Sequence, residues 1–235
     1  MTTPPTPSAG DRRRLWLAAV VVPVLLAQPW PLIARAARLP APWTTVAGLI
    51  LGLTLLTATA TDLARRRIFN WCTYTAVAWA AVLPLVVAAA GDRTVMTAGS
   101  PTTVAAWIGG PTPTDAVLGL ATGFGVTFAL YTVFRGGAGD VKLVAAVGAF
   151  VGPLLVLQAL VYAYLLAGVA ALAFLLWTAG PLALLARAWT ALGLPANDAL
   201  RARAADARHA TRRRMPMGPF HTAGAVLALI PDTLG

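Results

Sequence analysis

Seven apolar runs of bilayer-spanning length dominate this chain, at about 15–34, 43–61, 71–90, 115–134, 141–160, 161–185 and 218–234. A backbone inside hydrocarbon must satisfy its own polar groups, which leaves only helices or a closed barrel, and continuous apolar runs of roughly 17 to 25 residues are helical spans. The expected fold is therefore all-α, a polytopic transmembrane helical bundle of six or seven spans. Composition agrees, because a chain of 235 residues that is 58% hydrophobic and 11% charged has too little polar surface for a soluble globule. Two runs have a second reading. Pro23, Pro29 and Pro31, with Arg12, Arg13 and Arg14 ahead of them, also fit a cleaved signal peptide. Gly148, Gly152 and Pro153 allow the 141–185 stretch to divide into a short half-helix followed by one long helix.

Charge orients the bundle. Of the 18 basic residues, 15 fall on one side if every run crosses: in the tail, in connections 62–70, 135–140 and 186–217, and at Lys142. Only Arg35, Arg38 and Arg93 fall on the other. Cytoplasmic loops carry such an excess, so the Arg-rich side is expected to be cytoplasmic. Residues 1–14 are expected to form a disordered basic tail and 15–235 a single membrane domain, with an Arg-rich cytoplasmic loop at about 187–214. The net charge of +10 is explained by this asymmetry. No aromatic-basic pattern accompanies it, so the expected non-protein partner is the lipid membrane and not nucleic acid.

The eight acidic residues are all aspartates. With one cysteine and two histidines, no disulfide, four-cysteine zinc site or His-rich metal centre is expected, and no cofactor or metal is assigned. Asp11, Asp198, Asp206 and Asp232 read as solvated charges. Asp92 and Asp115 flank the outer loop 91–114, where Thr114-Asp115 reads as a helix cap. Asp62 ends the second run and Asp140 precedes the fifth. Two crossings separate them, so both emerge on the same, cytoplasmic face. An ion pair with Arg65 and Arg66 is the plain reading of Asp62, provided its helix continues.

Residues 136–140 are Gly-Gly-Ala-Gly-Asp. Glycines there let a peptide backbone approach the Asp140 carboxylate and leave amide groups free to face a carbonyl. Two carboxylates held close share a proton. The ionised one takes a proton from water while the protonated one donates to the scissile carbonyl, without metal or cofactor.

Asp62 followed by Arg67-Ile68-Phe69-Asn70 resembles the first-aspartate motif of the prepilin peptidases, or type IV leader peptidases, with Phe69 where that family often has proline. Gly137-Ala138-Gly139-Asp140-Val141-Lys142-Leu143 resembles their G-x-G-D-x-K-L motif, and Pro216-Met217-Gly218-Pro219 with Gly224 their last P-x-G-P segment. The blocks stand in the family's order and span about 45–230. The resemblance implies a membrane-embedded aspartic endopeptidase that sits in the inner (plasma) membrane and removes the short basic leader of prepilin-like proteins at the cytoplasmic face. It assigns catalytic roles to Asp62 and Asp140, and substrate-binding roles to Gly137, Gly139, Lys142 and Asn70. Bifunctional members add a cysteine-based zinc motif. This chain has only Cys72, so the resemblance is to the short Flp/Tad-like or archaeal-like form, and N-terminal methylation is not expected.

Presenilin and signal peptide peptidase share G-x-G-D but pair it with Tyr-Asp and a later Pro-Ala-Leu; here Thr61 precedes Asp62 and Pro-Ala-Leu is absent. A small proton-coupled transporter using the same two aspartates is the other alternative. Cys72 reads as a small buried side chain, His221 as a hydrogen-bonded core histidine, and the tryptophans near run ends as interfacial anchors.

Overall fold

The computed structural model describes residues 33–34, 43–97, 100–134, 137–211 and 216–230. The basic tail, nearly all of the first run, Asp11 and Asp232 lie outside the described residues. In chain order the elements are α1 (Val46–Arg65), α2 (Asn70–Ala90), β1 (Thr94–Thr97), β2 (Ser100–Thr103), α3 (Val104–Ile108), α4 (Pro113–Phe134), α5 (Ala138–Val151), α6 (Pro153–Ala179), α7 (Pro181–Ala191), α8 (Asp198–Thr211) and α9 (Gly218–Ala228).

Among the described residues, four helical stretches are long and apolar enough to cross a membrane: Val46–Arg65, Asn70–Ala90, Val104–Phe134 and Pro153–Ala179. The third joins α3 and α4 across a short break. The stretch from 141 to 185 divides at Gly152, whose φ of 84° ends α5 and leaves Pro153 to open α6. That is the half-helix division. At 1.5 Å per residue, the 14 residues of α5 reach only about 21 Å, short of a bilayer core. The last run is also shorter than expected, an 11-residue helix.

Two local features depart from the sequence reading. An antiparallel hairpin pairs Thr94 with Thr103 and Val95 with Thr102 inside the 91–114 connection, the only strands among the described residues, because Thr and Val favour extended backbone once a helix has ended at Gly91. The described part of the Arg-rich connection, residues 187–211, is largely helical. It contains the end of α7 and all of α8, whose alanine-rich sequence supplies helix propensity.

The centre of the bundle is α5. Its residues 143–150 are buried on every side, and it touches α1, α2, α4, α6 and α9. Small residues make that possible. Gly119 and Gly123, four apart on α4, lie against the α5 backbone at Gly148 and Val144, where a Cβ on either would strike a carbonyl oxygen. Gly224 of α9 lies as closely on α6 at Ala159. The outward faces of α4 and α6 carry exposed Val117, Phe124, Phe128, Val161, Leu165 and Trp177, the pattern of helices that face lipid and not water.

Candidate active site

α1 starts at Thr45, whose hydroxyl accepts the Gly48 amide at 3.1 Å, and ends at Arg66, which turns left-handed at φ 50° and donates its amide to the Asp62 carbonyl at 2.8 Å. Asp62 thus sits in the final helical turn, and Arg66 has left the helix. The expected ion pair does not form among the described residues. Asp62 is 7% exposed, and its Oδ2 accepts the backbone amide of Gly218 at 2.7 Å. Gly218 opens α9, where the first amides have no partner within the helix, and Pro219 follows it with no amide at all. A carboxylate placed there satisfies an orphan donor and complements the helix dipole. Glycine at 218 keeps this approach open, since a Cβ would sit 3.0 Å from both Cβ and Oδ2 of Asp62 and would press the carboxylate aside. Thr59 and Thr222, hydroxyl to hydroxyl at 2.7 Å, tie the same two helices one turn further in.

Asp140 lies in the first turn of α5, with Gly137 as the preceding cap residue. Its amide donates to the Gly137 carbonyl at 3.1 Å, and its carboxylate accepts the Gly137 amide in return. This reciprocal arrangement, cap residue to third helical residue, folds the carboxylate back over the helix start. A Cβ on Gly137 would fall 2.7 Å from Asp140 Oδ2, and one on Gly139 would fall 3.1 Å from Ile68 Cβ. Both glycines therefore make room, one for the carboxylate and one for the 66–69 turn.

The two aspartates meet at one cavity of about 340 Å³, lined also by Arg66, Arg67, Asn70, Gly137, Gly139 and Lys142. Lys142 Nζ donates to Asn70 Oδ1 at 2.9 Å and stands over the Tyr74 ring at 5.1 Å, which joins the start of α5 to the start of α2. Asp140, just ahead of the apolar run that begins at 141, has its carboxyl pushed up to about 6. Burial is the main cause and the charge of Asp62 the second, opposed by the Gly137 amide.

The other acids with described side chains, Asp92, Asp115 and Asp198, stand apart from this cavity. Asp115 accepts the Thr112 hydroxyl at 2.8 Å while its amide donates to that hydroxyl at 3.2 Å, so Thr112, not Thr114, is the capping residue. Asp92 is exposed, and Asp198 makes a long ion pair with Arg201 at 3.8 Å on the surface. Cys72 is buried, with Sγ 3.6 Å from the Thr54 carbonyl. No group of three metal-ligating side chains occurs among the described residues.

Two residues at the site escaped the reading of the sequence in this role. Gly218 belongs to a noted motif, but nothing in that motif says its amide reaches Asp62. His221 is a correction: it is buried, yet its Nε2 has no hydrogen-bond partner among the described residues and stands 4.0 Å from Asp140 Oδ1.

A search of curated proteins and a search of solved structures each found no match. A family model described as the type IV leader peptidase family matches residues 49–176, more than half of the chain, from α1 to the last turn of α6 and including both Asp62 and Asp140. With that match laid over its apolar helices, the chain belongs to the type IV leader peptidase family, a family of membrane peptidases.

Proposed function

We propose that this protein is an aspartic endopeptidase that removes the leader of type IV prepilin-like proteins, with Asp62 and Asp140 as the catalytic pair. The observation that carries the reading is that the two carboxylates line one cavity, in which burial first and the charge of Asp62 second raise Asp140 to about 6. A pair of carboxyl groups holding one proton between them contains both a base and an acid. The ionised carboxylate takes a proton from water as the water attacks the scissile carbonyl, and the protonated one donates to the carbonyl oxygen. The roles reverse as the amine leaves. The peptide reaches the pair over Gly137 and Gly139, and Lys142 and Asn70 hold the cavity wall against which it binds.

The site lies at the cytoplasmic face of the inner membrane, where the basic Arg66, Arg67 and Lys142 beside it agree with the excess of Lys and Arg on cytoplasmic loops. Residues 15–235 form one peptidase domain with six or seven spans, to which the short α5 and α9 contribute.

The test is co-expression with a prepilin and mass spectrometry of the product. The wild-type chain is expected to shorten the prepilin at one peptide bond, and Asp62→Asn and Asp140→Asn each to leave it full-length while still inserting. A prepilin left uncut by the wild type, or cut at the normal rate by either variant, overturns the reading; the first is also what a transporter built on the same aspartates would give.

A further inference from the structure

Asp140 borders a second cavity, of about 420 Å³, whose lining includes Tyr131, Tyr164, Met217 and His221 but not Asp62. This cavity is mostly apolar, which makes one polar atom conspicuous. His221 is 4% exposed, its ring is met edge-on by Tyr164 at 6.0 Å, and its Nε2 has no partner among the described residues. A buried ring nitrogen left unpaired costs stability, and apolar packing alone would be served better by leucine or phenylalanine.

The placement is specific. His221 follows Gly218 by three residues, so one turn of α9 addresses both aspartates, with the Gly218 amide on Asp62 and the His221 ring on Asp140. Asp140 Oδ2 is the oxygen folded against Gly137, and Oδ1 is the one turned to His221. At 4.0 Å the pair is too long for a hydrogen bond, but hydrogen bonds at catalytic sites often tighten only when substrate is bound.

We propose that His221 is a positioning residue for Asp140, its Nε2–H donating to Oδ1 once substrate fills the cleft and so fixing how the carboxyl group presents its other oxygen. The proposal rests on the aspartic-peptidase reading and adds to it that α9 sets the geometry of both carboxylates.

A pair of amide substitutions separates positioning from packing. The side-chain nitrogen of glutamine reaches close to where Nε2 stands, and that of asparagine only as far as Nδ1. With the full-length protein in detergent and a synthetic peptide of a basic leader ending in glycine joined to an apolar segment, kcat and KM are measured against pH. The other ionisable groups lining the two cavities are Asp62, Arg66, Arg67, Lys142, Tyr131 and Tyr164, and all are kept. His221→Gln is expected to stay within about threefold of wild-type kcat, and His221→Asn to lose about tenfold or more with little change in KM. In the asparagine variant the alkaline limb of kcat, which reports the Asp140 proton in the substrate complex, is expected to move up by about half a pH unit, because a donor to the carboxylate is gone.

Equal losses in both variants with an unmoved limb, or full activity in both, would overturn the positioning role. These outcomes are distinct from failure of the underlying reading, in which the wild type leaves the peptide intact or Asp140→Asn cleaves it.

Discussion

The backbone amide of Gly218 donates to the carboxylate of Asp62 at 2.7 Å, across 156 residues of chain. It links the end of α1 to the beginning of α9, and it holds in place a carboxylate that would otherwise be free to turn outward to the arginines that follow it. The neighbouring Thr59–Thr222 bond makes the junction a two-point attachment.

Gly218→Ala is expected to disturb this junction directly. Its methyl group would press on Asp62 from 3.0 Å, so either α9 backs away or the carboxylate rotates. The cost in stability should be about 1 to 3 kcal/mol, the usual range for overpacking. On the proposed role of Asp62, cleavage should fall about tenfold or more, since a small misplacement of a catalytic group is costly. Thermal unfolding in detergent and peptide cleavage measured on one preparation check both numbers; unchanged cleavage would mean that Gly218 does not position Asp62.

The raised Asp140 carboxyl has a signed consequence for pH. Its value in the folded protein, about 6, lies above its ordinary 3.8, so the folded state binds the proton more tightly. The stabilising contribution is fully present below about 3.8 and is lost as pH rises through about 6. Asp140→Asn cannot ionise there, so its melting temperature should gain on that of wild type as pH rises through this window. For the free wild-type enzyme, kcat/KM should fall on the alkaline side with a midpoint near 6. A difference in melting temperature that stays flat from pH 4 to 8 would refute the shift.

Lys142→Met removes the charged donor to Asn70 while keeping much of the side chain's length. The bond is solvent-exposed, so the loss of stability should be about 1 kcal/mol or less, below the range of about 1.5 to 3 kcal/mol for charged hydrogen bonds. KM for the leader peptide should rise more than kcat falls, because the residue shapes the cavity wall and not the proton transfers. Asn70→Ala should give the same pattern, and the double variant should be less than additive.

Asp115→Asn serves as the contrasting carboxylate. Its partner is the Thr112 hydroxyl at the start of α4, which an amide oxygen can also accept. Stability should change by less than about 1 kcal/mol and cleavage should remain near wild type, as assayed on the same prepilin.

How much of this was legible in the chain depends on the range of the interaction. The break between α5 and α6 is written in Gly152-Pro153, because a left-handed glycine and a residue without an amide act on the backbone locally. The end of α1 is less legible. Arg66 in a left-handed conformation is not something an Arg-Arg-Arg run announces, and it removes the helical spacing on which the Asp62 ion pair depended. The hairpin at 94–103 sits in a stretch too polar to span a membrane, and hydropathy does not distinguish strand from loop there.

By itself the sequence determined that this is a helical membrane protein with an uneven spread of basic residues along its chain, and it singled out Asp62 and Asp140 among eight aspartates. Hydropathy and charge asymmetry are sums over many residues, so they survive ignorance of the fold. Only the tertiary structure decided that α9 returns to both aspartates, bringing the Gly218 amide to one and the His221 ring to the other. That contact depends on glycines allowing helices to approach within backbone distance, and on a single turn of a late helix whose phase no local pattern encodes.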